Sequence, residues 1–289
     1  MAFYNSATIF IPPGVSIRNL VNYNLRLLGG IQRANLSIWH VMPCELVPKG
    51  VFMSQVNSTR NGCKDVWNAF MCKGVSYSKN DIPFCPTTAT ALPTKIIMWD
   101  EAKRIYKNAI ARKDTDFFYD AFVGFYLDDY KFDGPRGIWH DSAFVLKVLR
   151  HFSGAITPDF STYQDFPEPI KVYNTYRMRV FGRWLGINGI SVINNVRWGT
   201  SETWRYCWDG IPKNSVVAIG TVGGSPRNLV DRHRFEEGLT ELVRILCPHT
   251  IIVYGSANYQ CFTDLRAQGI LVVSYQSHTA SAFERRRIK

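Results

Sequence analysis

From Lys95 onward, short runs of apolar, β-branched residues alternate with segments of helical periodicity. That alternation restricts the chain to a small set of α/β folds. The strand runs are KIIMW (95–99), AFVGFYL (121–127), GAIT (154–157), ISVINNV (190–196), SVVAIGTVG (215–223), TIIVYG (250–255) and ILVVSY (270–275). Most are apolar at successive positions, so both faces of each strand are expected to be buried, as in a parallel sheet covered by helices.

The intervening segments supply the helices. EAKRIYKNAIARK (101–113) places Ala102, Ile105, Tyr106, Ala109 and Ile110 on one face, with Asp100 as the expected N-cap. SAFVLKVLRHF (142–152) is amphipathic. Between Pro167 and Asn188, Val172, Tyr176, Val180 and Trp184 recur four residues apart, and Gly189 ends the helix. DRHRFEEGLTELVRILC (231–247) turns Phe235, Leu239, Leu242, Val243 and Leu246 to one side and stops at Pro248, and a shorter helix is expected near 259–267. Seven strand–helix units, plus one strand from the N-terminal region, would close a TIM-barrel-like (β/α)8 fold with mostly parallel strands. The alternative is an open, doubly wound parallel sheet. The barrel is favoured because the connections are short and no unit opens on a nucleotide-binding glycine fingerprint.

Residues 1–94 are expected to form an irregular N-terminal extension, and 95–289 the repeat domain. Asn, Gly and Pro are scattered through the extension without a sustained period; short strands are expected near 37–42 and 50–53. The opening MAFYNSATIFIPPG lacks a basic n-region, and Pro12 and Pro13 interrupt its apolar run, so no signal peptide is expected. No stretch approaches the ~20 apolar residues of a membrane span, and a cytoplasmic location without membrane contact is expected. The seven cysteines are then reduced thiols. Cys44, Cys63, Cys72 and Cys85, with His40, lack the tight pairs of a zinc site and are expected as buried thiols. Cys207, Cys247 and Cys261 lie in or beside apolar runs and read as core.

In either architecture, sites form at the carboxyl ends of the strands. Asp128 and Asp129 follow the second run, Asp159 the third, and Asn195, Arg197, Trp198 and Glu202 the fourth. Asp128, Asp129, Asp159 and Glu202 are the candidate catalytic groups, working as general acids and bases. Asp129 and Asp159 would be oxygen ligands if the cofactor is a divalent metal ion. The bland alternative is that such aspartates cap the next element. Thr221 and Tyr254 stand at the ends of later strands.

The loop TVGGSPRNLVDRHR (221–234) is suited to an anion. Gly223 and Gly224 let the backbone approach, a helix follows, and Arg227, Arg232 and Arg234 lie close by. It carries neither a Walker lysine nor GxGxxG. The chain has a formal net charge of +11 and 14% aromatic residues. A surplus of that size favours polyanions. Trp198 in VRWGTSETWRYCW, with Arg177, joins the candidate nucleic-acid-binding residues, since aromatics interleaved with cations can stack bases. The tail 285–289 adds three arginines and a lysine.

Several strings are similar to the DUF4417 family of bacterial and phage proteins: LDDYKFD, ITPDFSTYQDFPEPIKVYNTYRMR, ISVINNVRWG, WDGIPKNSVVAIGTVG and IIVYGS, in continuous order over roughly residues 96–283. The resemblance implies a cytosolic protein often carried on mobile elements or prophages. The family's function is unknown, so it supplies no catalytic residues. It does direct attention to Asp128, Asp129, Asp159, Ser161, Asp165, Asn174, Arg177, Arg179, Trp198 and Gly210. Two functional classes follow from the residues. One is a protein that binds or processes nucleic acid or a phosphorylated nucleotide at the strand-end rim. The other is a non-catalytic protein that binds a host or viral protein partner.

Overall fold

The computed structural model describes residues 67–221 and 229–277. Its centre is a seven-stranded sheet: β1 (Ile96–Met98), β2 (Tyr119–Gly124), β3 (Phe152–Ile156), β4 (Val192–Asn195), β5 (Val216–Gly220), β6 (Thr250–Tyr254) and β7 (Leu271–Tyr275). Every neighbouring pair is parallel, and the spatial order is the sequence order. The order never reverses, so the sheet lacks the switch point that divides helices between two faces. Right-handed crossovers stepping one way place the helices on a single side, and the sheet curls as an α/β half-barrel.

Side-chain alternation marks the two faces. Ala121, Val123, Ala155, Val192, Val217, Ile219, Ile251 and Val253 pack with the helices in two large clusters. Phe122, Ile156, Ile193, Ala218 and Ile252 form a separate inner cluster, edged by Ile96 and Tyr275. The hydroxyl of Tyr275, at the end of β7, donates to the carbonyl of Pro93 just before β1, at 2.6 Å. That bond links the two edges of the curled sheet. The expected closing strands near 37–42 and 50–53 lie outside the described residues.

The helices are α1 (Trp99–Ala111), α2 (Ser142–Leu149), α3 (Glu168–Ile187), α4 (Leu229–Leu246) and α5 (Gln260–Ala267). None among the described residues is long and apolar enough to cross a membrane. The N-cap of α1 is Met98, not Asp100. The buried ring of Trp99, 5.7 Å from that of Phe125, brings the helix start forward, and Asp100 instead accepts the amide of Glu101 from within the first turn. Asp141 caps α2 through the amide of Phe144.

Within 67–94, a 3-10 turn (Ala69–Cys72) and buried Val75, Tyr77 and Cys85 pack into the helix-side core. The stretch 85–89 wedges beside the lower ends of β4 and β5. The amides of Thr88 and Ala89 both donate to the Val192 carbonyl, and Asn194 donates to the Cys85 carbonyl at 2.8 Å. Cys72 and Cys85 are buried free thiols, and Cys207 is core as expected; Cys44 and Cys63 lie outside the described residues. Cys247 is exposed, contrary to its apolar surroundings in sequence. It adopts φ 47° just past the end of α4, and that left-handed turn carries it away from the packed face.

Candidate binding site at the carboxyl ends of the strands

The inner-face register brings Tyr126, Asn195, Gly220 and Tyr254 to the upper mouth of the half-barrel. The Tyr126 ring stacks on Tyr254 with centroids 4.8 Å apart. Its hydroxyl donates to Oδ1 of Asn195 at 3.1 Å. A Cβ at Gly220 would stand 2.9 Å from that ring, so the glycine makes room for the tyrosine over β5.

From Asn195 the network runs outward. Its amide nitrogen donates to Asp159 at 2.7 Å, and the other oxygen of Asp159 accepts from Arg197 at 2.8 Å. The Arg197 guanidinium lies 5.3 Å from the Tyr163 ring centroid. Asp129, in the 3-10 turn Asp129–Lys131 after β2, accepts the Ser161 amide at 3.1 Å and its hydroxyl at 2.8 Å. Helix α3 holds the loops from behind. Asn174 donates to the Ser161 carbonyl, and Arg177 donates to Asn174 and to Asp133. Arg179, fully buried, donates to the carbonyls of Asn195, Cys207 and Asp209 at 2.9–3.0 Å and so pins the end of β4.

These contacts set the electrostatics. Burial pushes the Asp129 carboxyl above its ordinary range; the two Ser161 bonds oppose this, and the nearby Asp159 charge adds to it. Burial, with Asp159 and Tyr254, raises the Tyr126 phenol well above its usual value. Burial alone would lower Arg197, but Asp159, Tyr163 and Asp129 outweigh it and hold the guanidinium charged.

Beside this network lies a cleft of about 250 Å³ between the loop after β3 (162–164), the loop after β4 (196–200) and the first turns of α4. Arg197 and Gly220 line it and join it to the mouth; Trp198, Asp231 and Arg234 form the outer wall. Arg234 donates to the Gln164 side chain at 2.7 Å. Trp198 packs against Trp208 and Phe235, with Gly238 of α4 beneath it.

Domain-of-unknown-function DUF4417 matches residues 76–276. The chain belongs to the DUF4417 family. Two similar proteins are both called "Gene 1 protein". That of Mycobacterium phage D29 is 32% identical over 202 residues, covering 70% of each chain. That of Mycobacterium phage L5 is 35% identical over 135 residues, covering 47% of this chain and 57% of the phage protein. No solved structure matches.

Among the residues expected from sequence, Asp159 joins Asn195, which is linked through Tyr126 to Tyr254, while Asp129 is bonded to Ser161 and lies near enough to Asp159 to feel its charge. Asp128 turns outward and pairs with Lys131 at 3.0 Å. Glu202 is exposed on the 3-10 turn Ser201–Arg205, near the Thr200 hydroxyl and apart from the network. Arg177 is engaged by Asp133 and Asn174 and lies 3.8 Å over Phe160, so it clamps loops. Arg232 sits 5.9 Å from the Tyr259 ring. Gly223, Gly224 and Arg227 lie outside the described residues. No group of three or more His, Cys, Asp or Glu side chains among the described residues is placed to hold a metal ion. Tyr126 and Thr162 were not singled out from sequence, whereas Ser161 was, through the family resemblance. Tyr126 had a signal, an aromatic in inward register one residue pair beyond Gly124; Thr162 had none.

Proposed function

We propose that this DUF4417 protein binds a phosphate-bearing ligand, nucleic acid or a nucleotide, at the carboxyl rim of its half-barrel. The observation that carries the reading is the cleft walled by Arg197 and Arg234, with Tyr163 and Trp198 beside the cations. The +11 net charge supports it, since a polyanion is drawn to such a surface from solution. Barrel-like folds place phosphate sites at this end, on late strand-end loops and a helix N-terminus. In processing, Asp129 has the role of proton carrier: its burial lets the carboxyl hold a proton closer to neutrality than an exposed aspartate does.

The test is a titration with labelled single- and double-stranded oligonucleotides and with nucleotides across a salt series. Log affinity is expected to fall with log salt, at about −0.7 per phosphate contacted on single strands. Arg232→Ala with Arg234→Ala, at exposed positions of α4, should make that slope shallower while leaving the melting temperature unchanged. If no oligonucleotide binds and no nucleotide shifts the melting temperature, the reading fails in favour of a protein-binding role.

A further inference from the structure

Resting on that reading, we infer that the cleft beside Arg197 receives an unpaired nucleobase, with the phosphates outside it along the first turns of α4. Three observations lead to a base and away from a phosphate. The first is charge. Arg197 is already paired with Asp159, and Asp231 stands on the same wall as Arg234. The interior is therefore close to neutral, which suits a polar ring better than a dianion. The exposed side chains of Arg232 and Arg234 leave the outer face of α4 for the phosphates.

The second is Thr162. It is 2% exposed, lines the cleft, and its hydroxyl has no hydrogen-bond partner among the protein groups around it. Buried hydroxyls are nearly always bonded, so this one has an open bond that a polar group entering the cleft can complete. A ring nitrogen or exocyclic group of a base does so, because a hydroxyl both donates and accepts. The neighbouring Gln164 and Thr200 side chains add further polar edges.

The third is shape. Tyr163 is 46% exposed, and its ring faces the Arg197 guanidinium on one side. Tyr163 and Trp198 both line a space of about 250 Å³. Drug-sized ligands need roughly 300–1,000 Å³, so the space takes one ring system and not a base pair. A base can enter only from a single strand or a free nucleotide, where its face is open to stack on an aromatic side chain.

The deciding experiment measures anisotropy at low salt with three oligonucleotides of equal length: an intact single strand, a fully abasic strand, and the intact sequence as a duplex. The intact strand should bind about tenfold or more tightly than the abasic one, as expected for loss of base stacking. Thr162→Val should weaken the intact strand severalfold and leave the abasic strand unchanged. Its melting temperature should hold or rise, because a methyl replaces a hydroxyl that has no partner. Should T162V fail to fold, Tyr163→Leu at an exposed position reads the same difference between intact and abasic strands. Equal affinity for intact, abasic and duplex forms, with a salt slope, would overturn the base site while leaving phosphate binding standing. No binding of any form would overturn both.

Discussion

Arg179 is a fully buried cation with three backbone carbonyls for partners, from Asn195, Cys207 and Asp209. Burial lowers its guanidinium to about 10, still charged at neutral pH. The planar fork spans all three carbonyls at once, which a lysine ammonium cannot. Arg179→Met would leave them unsatisfied, at about 1–3 kcal/mol each, partly offset by no longer burying a charge. We expect a net loss of about 3–4 kcal/mol in denaturant unfolding, and Arg179→Lys to recover little of it. Asp129 behaves oppositely. Its carboxyl is raised by burial, so ionisation above that raised value works against folding. Asp129→Asn is therefore expected to raise the melting temperature by about 1–3 °C at pH 7. The gain should shrink as pH falls from the folded value to the ordinary 3.8, and is lost below it, where the aspartate is protonated in both states. Thermal scans at pH 7 and pH 4 that show the same difference would contradict the assignment. In sequence Asp128 and Asp129 are equivalent neighbours. The turn boundary separates them: Asp128 is its N-cap, with φ −57° and ψ 136°, and Asp129 is its first residue, so the two side chains leave the chain in different directions. One meets Ser161 and the other meets Lys131 in solvent.

At the scale of elements, the seven strands were legible because burial on both faces leaves an unbroken apolar signature, and the helices because each presents one apolar stripe. Boundaries moved by one to three residues, as at α1, where Trp99 pulls the start forward. The 3-10 turns and 67–94 were not legible, since their bonds are to distant residues. Ser78 and Asn80 both donate to the Asp209 carboxylate, across 131 and 129 positions. No local pattern encodes such a contact. The strand-end convergence of Asp129, Asp159 and Asn195 followed from topology alone, but which neighbour each would bind did not. Gly238 of α4 shows how an element and the cleft are coupled. A Cβ there would fall 2.0 Å from Nε1 of Trp198. Alanine normally favours a helix over glycine by about 1 kcal/mol. Here the clash should win, so Gly238→Ala is expected to destabilise by about 1–3 kcal/mol. It should also displace Trp198, seen as a change in tryptophan emission of the folded protein.

For the whole molecule, sequential parallel order makes curvature unavoidable, and the question is what holds the two edges of the curl. β1 and β7 do not pair with each other, so backbone hydrogen bonds do not join them. The Tyr275 hydroxyl reaching Pro93 does, with the inner cluster packed behind it. Proline has no amide hydrogen, so its carbonyl is the group available to that bond. Tyr275→Phe keeps the ring and removes only the bond. At neutral pH it should cost about 1 kcal/mol, lowering the melting temperature by about 2–4 °C for a chain of this size. Burial raises the Tyr275 phenol above its ordinary value of 10.0. A raised value in the folded state means a stabilising contribution that is complete below the unfolded value and lost as pH climbs through the folded one. The gap between wild type and Y275F should accordingly be constant from pH 6 to 9 and narrow beyond about pH 10. A gap absent at neutral pH would mean that apolar packing alone keeps the edges together. A gap that persists unchanged into alkali would mean that the hydroxyl is not the group responsible.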